Sequence, residues 1–254
     1  SESLDRIDVA NARKVFVDAF LKSRDGWKLQ IPSVPLDELY GGRLTEWLNR
    51  RQATVRLQTG VERVVVENDL AIAVVLRNGQ RLTANHFVVA VPHQLVPALL
   101  PESLMQHPQL SAVTRLETAP ISSVHLWFDR SLTELPHAVL IGRLCQWMFN
   151  RSVLHRKPIA EEQRPTDRRL LTGGCSLNYY QMIISASRNF AERSQQEIIT
   201  EVVRELKDIW PETENAELVH SRVITDHKAV FSPLPNIDAN RPRQQSPIIN
   251  LQLA

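Results

Sequence analysis

Two apolar periodicities alternate along the chain. Phe16 and Phe20, and Val17 and Leu21, stand four residues apart with charges between them, which predicts an amphipathic helix from about Ala10. Leu39, Leu44, Trp47 and Leu48 predict a second helix, with Gly41-Gly42 as its N-terminal turn. From Thr54 the period shortens to that of strands, over 55–57, 61–67, 70–77, 80–83 and 86–91. The punctuation is Gly60, Asn68-Asp69 and Asn78-Gly79, and the last of these predicts a type I′ hairpin, whose central positions both need positive φ. The segment 87–92 is apolar on both faces, the pattern of a strand inside a layered sheet.

Beyond it lies a proline-punctuated stretch, 92–120, with a short helix over 93–99. Strands are predicted over 122–129, 138–141, 145–150, 177–185 and 218–225. The polar, basic segment 151–169 reads as an exposed loop, whose sharper alternative is a contact with an anionic membrane surface. The clearest helix spans 191–210, with Ile198, Ile199, Val202, Val203, Leu206 and Ile209 on one stripe and Pro211 as its stop. A loop over 231–243 precedes an apolar segment, 248–254. A chain end inside a buried strand leaves an element without its packing partners, so the sequence is expected to be a fragment. The element order predicts a mixed α/β (α+β) fold in which a meander and the last strand form one domain around an insertion.

Composition narrows the chemistry. Lys+Arg number 30 against 28 Asp+Glu, without a basic block, so nucleic acid is not an expected partner. Cys145 and Cys175 are widely separated with no metal-ligand spacing beside them, and none of the eight histidines forms a zinc-binding pair, so no metal is expected. A reducing, cytoplasmic compartment follows from this cysteine usage. No apolar run approaches the ~20 residues of a membrane span. The eight glycines form no G-x-G-x-x-G, Walker or nucleophile-elbow motif.

In the strand over 122–129, Val124, Leu126 and Phe128 share one face, and Ser123, His125 and Trp127 the other. Trp127, Trp147 and Phe149 on adjacent strands either line an apolar pocket or serve as ordinary core aromatics.

Residues 55–64 (VRLQTGVERV), the meander and Val88-Val89-Ala90-Val91-Pro92 resemble the flavin amine oxidase and phytoene desaturase superfamily. More narrowly, the stretches 124–130 (VHLWFDR), 146–151 (QWMFNR) and 228–233 (KAVFSP) resemble the squalene-associated FAD-dependent desaturases, the hydroxysqualene dehydroxylases of hopanoid synthesis. The resemblance implies a two-domain, FAD-dependent amine oxidase-like fold. Residues 1–50 would be a helical part of the substrate domain, 51–92 the strand and meander of the FAD domain, 93–235 the substrate domain, and 236–254 a return strand to the FAD domain. The family's G-x-G-x-x-G would lie upstream of Ser1, and its second flavin motif past Ala254.

By position, the resemblance gives Val61 a main-chain grip on the FAD adenine and puts Ala90, Val91 and Pro92 beside the cofactor. Ser123 falls where amine oxidases of the superfamily carry a lysine, which turns the expectation from amines to an apolar isoprenoid held by Ser123, Trp127, Trp147 and Phe149. The implied activity is reductive dehydroxylation of hydroxysqualene to squalene, with His125 a candidate acid. The alternatives are desaturation of a carotenoid precursor and, in another class, a non-catalytic apolar-ligand module. Such a substrate leaves room for peripheral attachment at the inner face of a membrane; oligomeric state stays open. Because the pyrophosphate-binding motif is not among these 254 residues, the chain alone is expected to bind FAD weakly. Equilibrium dialysis checks this, and stoichiometric tight binding would contradict it.

Overall fold

The computed structural model describes residues 2, 5–155, 177–190 and 192–254. In chain order come α1 (Val9–Lys14), continued by a π-helical segment Val15–Leu21, α2 (Leu36–Tyr40), α3 (Gly42–Asn49), β1 (Val61–Glu67), β2 (Leu70–Leu76), β3 (Arg81–Thr83) and β4 (Phe87–Val89). Then follow α4 (Val96–Leu99), α5 (Glu102–Met105), α6 (Pro108–Ser111), β5 (Thr118–Phe128), β6 (His137–Val139), β7 (Trp147–Asn150) and α7 (Arg151–Leu154). The remainder is β8 (Asn178–Ser185), α8 (Gln195–Ile209), β9 (Leu218–Phe231) and β10 (Leu251–Leu253). The expected mixed α/β class holds. Contacts divide the chain into one unit of Ser1–Asp5, Arg13–Trp47 and Thr118–Phe231, and another of Arg6–Ala12, Leu48–Glu117 and Ser232–Ala254.

The first unit is organised by an antiparallel five-stranded sheet in the order β6-β7-β8-β5-β9. Val124, Leu126 and Phe128 of β5 and Tyr180, Met182 and Ile184 of β8 share a buried core with Ile198, Ile199, Val202 and Leu206 of α8. The α8 stripe at three- and four-residue spacing is what lets one helix cover that sheet face. A capping box starts the helix: the Glu197 amide donates to Ser194 Oγ (3.2 Å) and the Ser194 amide to Glu197 Oε2 (2.8 Å). The start is therefore Gln195, four residues later than the apolar stripe alone predicts; Ala191 lies outside the described residues.

The second unit holds the antiparallel sheet β1-β2-β3 and the parallel pair β4/β10, and its core joins Val64, Ala71, Val89, Val96, Ile248, Leu251 and Leu253. The Asn250 side chain ties the closing strand to the meander, accepting from the Ala71 amide (2.8 Å) and donating to the Ala71 (2.7 Å) and Asn85 (2.9 Å) carbonyls. Residues 93–117, read from the sequence with the substrate domain, pack in this unit through Val96, Leu100, Leu104 and Leu110.

Several local expectations change for physical reasons. The turn with two positive φ values is Asn68 (48°) and Asp69 (61°), between the paired Glu67 and Leu70, so the type I′ hairpin sits there. At 78–79 only Gly79 is left-handed (φ 83°), and its amide donates to the Leu76 carbonyl at 2.8 Å. That is a type I turn followed by a left-handed glycine. Residues 55–57 are not a strand; left-handed Gln52 and Gln58 bracket the segment and bend it. The predicted second helix is broken into α2 and α3 at Gly41, where a Cβ would lie 2.1 Å from the Asp37 carbonyl oxygen. Val88, expected to be buried, is 63% exposed, because Phe87 and Val89 take the core-facing positions of the short β4. The predicted loop 151–169 begins as helix α7, which Asn150 Oδ1 caps by accepting from the Val153 amide (3.2 Å); residues 156–169 and Cys175 lie outside the described residues.

Leu206 is 1% exposed at the centre of the α8 seam. Truncation there removes transfer energy and leaves a cavity, so Leu206→Ala is expected to cost about 2–5 kcal/mol, read by chemical denaturation.

Candidate functional site

The sheet face opposite α8 builds the site. Cross-strand register places Trp147, Ile183, Ser123 and Ile224 in one row, Phe149, Gln181, His125 and Arg222 in the next, and Tyr179, Trp127 and His220 in the third. The two-residue period makes this face the obligatory partner of the core face, since burying Val124, Leu126 and Phe128 turns Ser123, His125 and Trp127 the other way.

A cavity of about 610 Å³ opens on this face, walled by the segment from Leu29 to Asp37 and by His125, Trp147, Phe149, Arg151, His155, Tyr179 and Gln181. The Trp147 and Phe149 rings stack 5.7 Å apart and 3° from parallel, a flat apolar wall. Of the four pocket residues read from the sequence, these two line the cavity. Trp127 stands behind it, stacked on Tyr179 at 4.6 Å and 5°. Ser123 also stands behind, accepting a hydrogen bond from Gln181 Nε2 at 2.7 Å.

Polar groups are concentrated at one side. Arg151 reaches Gln181 Oε1 through Nε (2.8 Å) and Nη2 (2.5 Å), lies over the Phe149 ring at 5.3 Å, and brings Nη1 to 3.5 Å from His155 Nε2. His125 Nδ1 and Tyr179 Oη are 2.6 Å apart. Burial, then the Arg222 and Arg151 cations, push His125 down to about 4, so its imidazole is neutral at physiological pH. Burial raises Tyr179 against an opposing pull from Arg151, and burial lowers Arg151 and His155. Asp37, on the same wall, partly offsets the shift of His155.

The sequence reading missed Tyr179, Gln181, Arg151, His155 and the Leu29–Asp37 wall. Alternation in the strand over 177–185 would have put Tyr179 and Gln181 on one face. The placement of Arg151 depends on the β7–α7 turn, which no periodicity encodes.

In the other unit, Val61 opens the edge strand β1. The Arg77 amide donates to the Gly60 carbonyl at 2.9 Å, and Val61 is paired with Leu76. Val61 is therefore a non-hydrogen-bonded pair whose own N–H and C=O turn to the outer side of β1. Ala90, Val91 and Pro92 directly follow β4, at the carboxyl end of its parallel pairing with β10. Ligands of open α/β sheets bind outside such strand ends. Among the described residues no group of three or more His, Cys, Asp or Glu could hold a metal ion, and no helix is long and apolar enough to cross a membrane.

Residues 41–254 match the family of flavin containing amine oxidoreductases. The chain belongs to that family. Its flavin is the FAD expected from the resemblance. Among its curated relatives are the 15-cis-phytoene desaturase of Solanum lycopersicum, 23% identical over 248 residues, covering 94% of this chain and 40% of that protein, and that of Synechococcus elongatus, 24% identical over 225 residues, covering 83% and 44%. The chain thus spans less than half the length of these relatives. Solved structures of the same fold include an oxidoreductase from Methanosarcina mazei (TM-score 0.61, 13% identity, covering 83% of this chain and 46% of that one). Putrescine oxidase bound to putrescine is another (TM-score 0.53, 14% identity, 84% and 45%).

The electrostatics of the cavity are open to direct test. An NMR titration is expected to show His125 neutral down to about 4, against an ordinary value of 6.5, and Arg151→Met is expected to move it upward by removing one of the two cations. Because the unfolded chain takes up this proton first, the stability contributed by His125 is intact above 6.5 and lost as pH falls toward about 4. A His125 that titrates at its ordinary value would contradict the burial described.

Proposed function

We propose that the whole protein is an FAD-dependent oxidoreductase acting on a long apolar isoprenoid, with desaturation of a carotenoid precursor as its reaction. The observation that carries the proposal is the cavity of about 610 Å³ beside the stacked Trp147 and Phe149, walled also by apolar side chains between Leu29 and Leu36. The phytoene desaturase relatives align over most of the chain and favour this reading over dehydroxylation of hydroxysqualene, whose support is the likeness of three short stretches.

The residues present suit an FAD. Val61 offers an amide and a carbonyl side by side on the open side of β1, the donor and acceptor pair that an adenine edge needs. Ala90 is small and follows a strand end, so the main chain there can approach a ring system closely. When bound, the flavin supplies the hydride exchange. The side chains of this chain contribute binding and exclusion of water: Trp147 and Phe149 hold the hydrocarbon, and Trp127 packs behind Tyr179 and fixes its ring.

The test uses the full-length protein with oxidised FAD and phytoene as probe. A desaturated product is expected, together with bleaching of the flavin absorbance under anaerobic conditions. Phe149→Ala is expected to raise KM about tenfold while leaving flavin content unchanged, through loss of apolar contact on one wall. Phytoene left intact, with hydroxysqualene converted to squalene by the reduced enzyme, would replace this reading by the dehydroxylase.

A further inference from the structure

An apolar wall holds a hydrocarbon without choosing its position along the wall, because apolar contact is non-directional. For an isoprenoid the ambiguity is acute. The chain repeats, so a slip of one isoprene unit restores the same contacts with Trp147 and Phe149 while changing which carbon–carbon bond is presented for reaction. Something other than the wall has to break that degeneracy.

A braced cation stands next to the wall. Trp147, Phe149 and Arg151 follow one another at alternate positions, and all three line the cavity. The half-buried Arg151 guanidinium lies over the Phe149 ring at 5.3 Å. It donates to Gln181 Oε1 through Nε and Nη2, and Gln181 Nε2 in turn donates to Ser123 Oγ at 2.7 Å, so α7, β8 and β5 together hold one guanidinium in place. His155 stands beside it at 3.5 Å, and Asp37, whose charge acts on His155, lines the same side of the cavity. A saturated chain pressed against this cluster would strip water from a cation and return no hydrogen bond. It could displace Arg151 only by breaking the bonds to Gln181.

We infer that Arg151, braced by Gln181, is a register stop: it halts the entering end of the hydrocarbon beside Phe149 and thereby fixes which isoprene unit is desaturated. The device works by rejection, since the stop offers the chain no attraction and only makes deeper entry costly. Arg151 is thus a specificity-determining residue that sets the position of the new double bond while Trp147 and Phe149 supply the affinity. This inference rests on the proposed desaturation of an oxygen-free isoprenoid and adds to it the residue that decides the regiochemistry.

The experiment gives the flavin-loaded full-length protein two probes, phytoene and a homologue lengthened by one isoprene unit at each end, and locates the new double bond in each product by chromatography and absorbance spectra. Wild type is expected to place the bond at the same count from the chain end in both. In Arg151→Leu the longer probe is expected to enter one unit further, so that the share of product desaturated one unit nearer the centre rises about tenfold, the cost of leaving one charged or buried donor unsatisfied. Arg151→Lys, which keeps the cation, is expected to keep the wild-type position. FAD stoichiometry reports folding of each variant, and the two probes decide on wild type alone if Arg151→Leu loses flavin. A bond placed at a constant count from the centre of the chain, a wild-type product pattern in Arg151→Leu, or the same change in Arg151→Lys as in Arg151→Leu overturns the inference while the desaturase reading stands. Phytoene left intact by wild type overturns both.

Discussion

The alternation of strand β5 is the constraint on which the first unit depends. Its even-numbered positions Val124, Leu126 and Phe128 are sealed against α8, and burying side chains of that size stabilises by about 1.5–3 kcal/mol each. A slip of one residue would carry all three to the cavity side and bring Ser123, His125 and Trp127 into the core. The core therefore sets which side chains face the cavity, and β8 repeats the arrangement, with Tyr180, Met182 and Ile184 inward and Tyr179, Gln181 and Ile183 outward. Site geometry and stability are two faces of one pleated surface.

On the cavity face the energetics run the other way. Placing an arginine, two histidines, a tyrosine and a glutamine beside stacked aromatics carries a desolvation cost, which mutual bonding offsets in part: Ser123 to Gln181, Gln181 to Arg151, Tyr179 to His125. Such a network is stiff, because moving one member leaves another unsatisfied. It also leaves His125 uncharged, since two cations and burial act on it together. The combination of a flat apolar wall and a fixed polar side is suited to holding a long chain in a single orientation.

How much of this was legible in the sequence depends on the kind of information each element needs. Strand periodicity identified β1, β2, β5, β8 and the apolar stripe of α8, because their burial is one-sided and repeats along the chain. The same alternation puts Trp147 and Phe149 on the face where the cavity opens, and both line it, whereas Trp127, on the same face, is covered by Tyr179. Facing tells which side a residue takes but not which neighbour will stack upon it. The turn types went astray where composition and geometry differ: Asn-Gly is the stronger statistical signal, yet Asn68-Asp69 makes the two-residue connection between the paired Glu67 and Leu70. Arg151 and the wall from Leu29 to Asp37 carry no periodic signal, since their positions follow from a cap and from tertiary packing.

The long excursion between β4 and β10 is compatible with a well-defined fold for a simple reason. Closing a loop costs an entropy that rises only with the logarithm of its length, about 0.6 kcal/mol per doubling, so an intervening unit that folds on its own core adds little to the cost of pairing the two strands. What the pairing does require is that the excursion begin and end at one place. Thr118 and Phe231, the first and last residues of the inserted strands, are register partners within the five-stranded sheet. In the other unit the adjoining residues are joined by a backbone hydrogen bond from the Ser232 amide to the Glu117 carbonyl at 2.8 Å. The two chain crossings are thus neighbours on each side, and the meander can recover its parallel partner at Leu251 with Asn250 fixing the register through the polar groups of Ala71. In this arrangement the main chain around Val61 and the strand end at Ala90 belong to a unit with its own packed core.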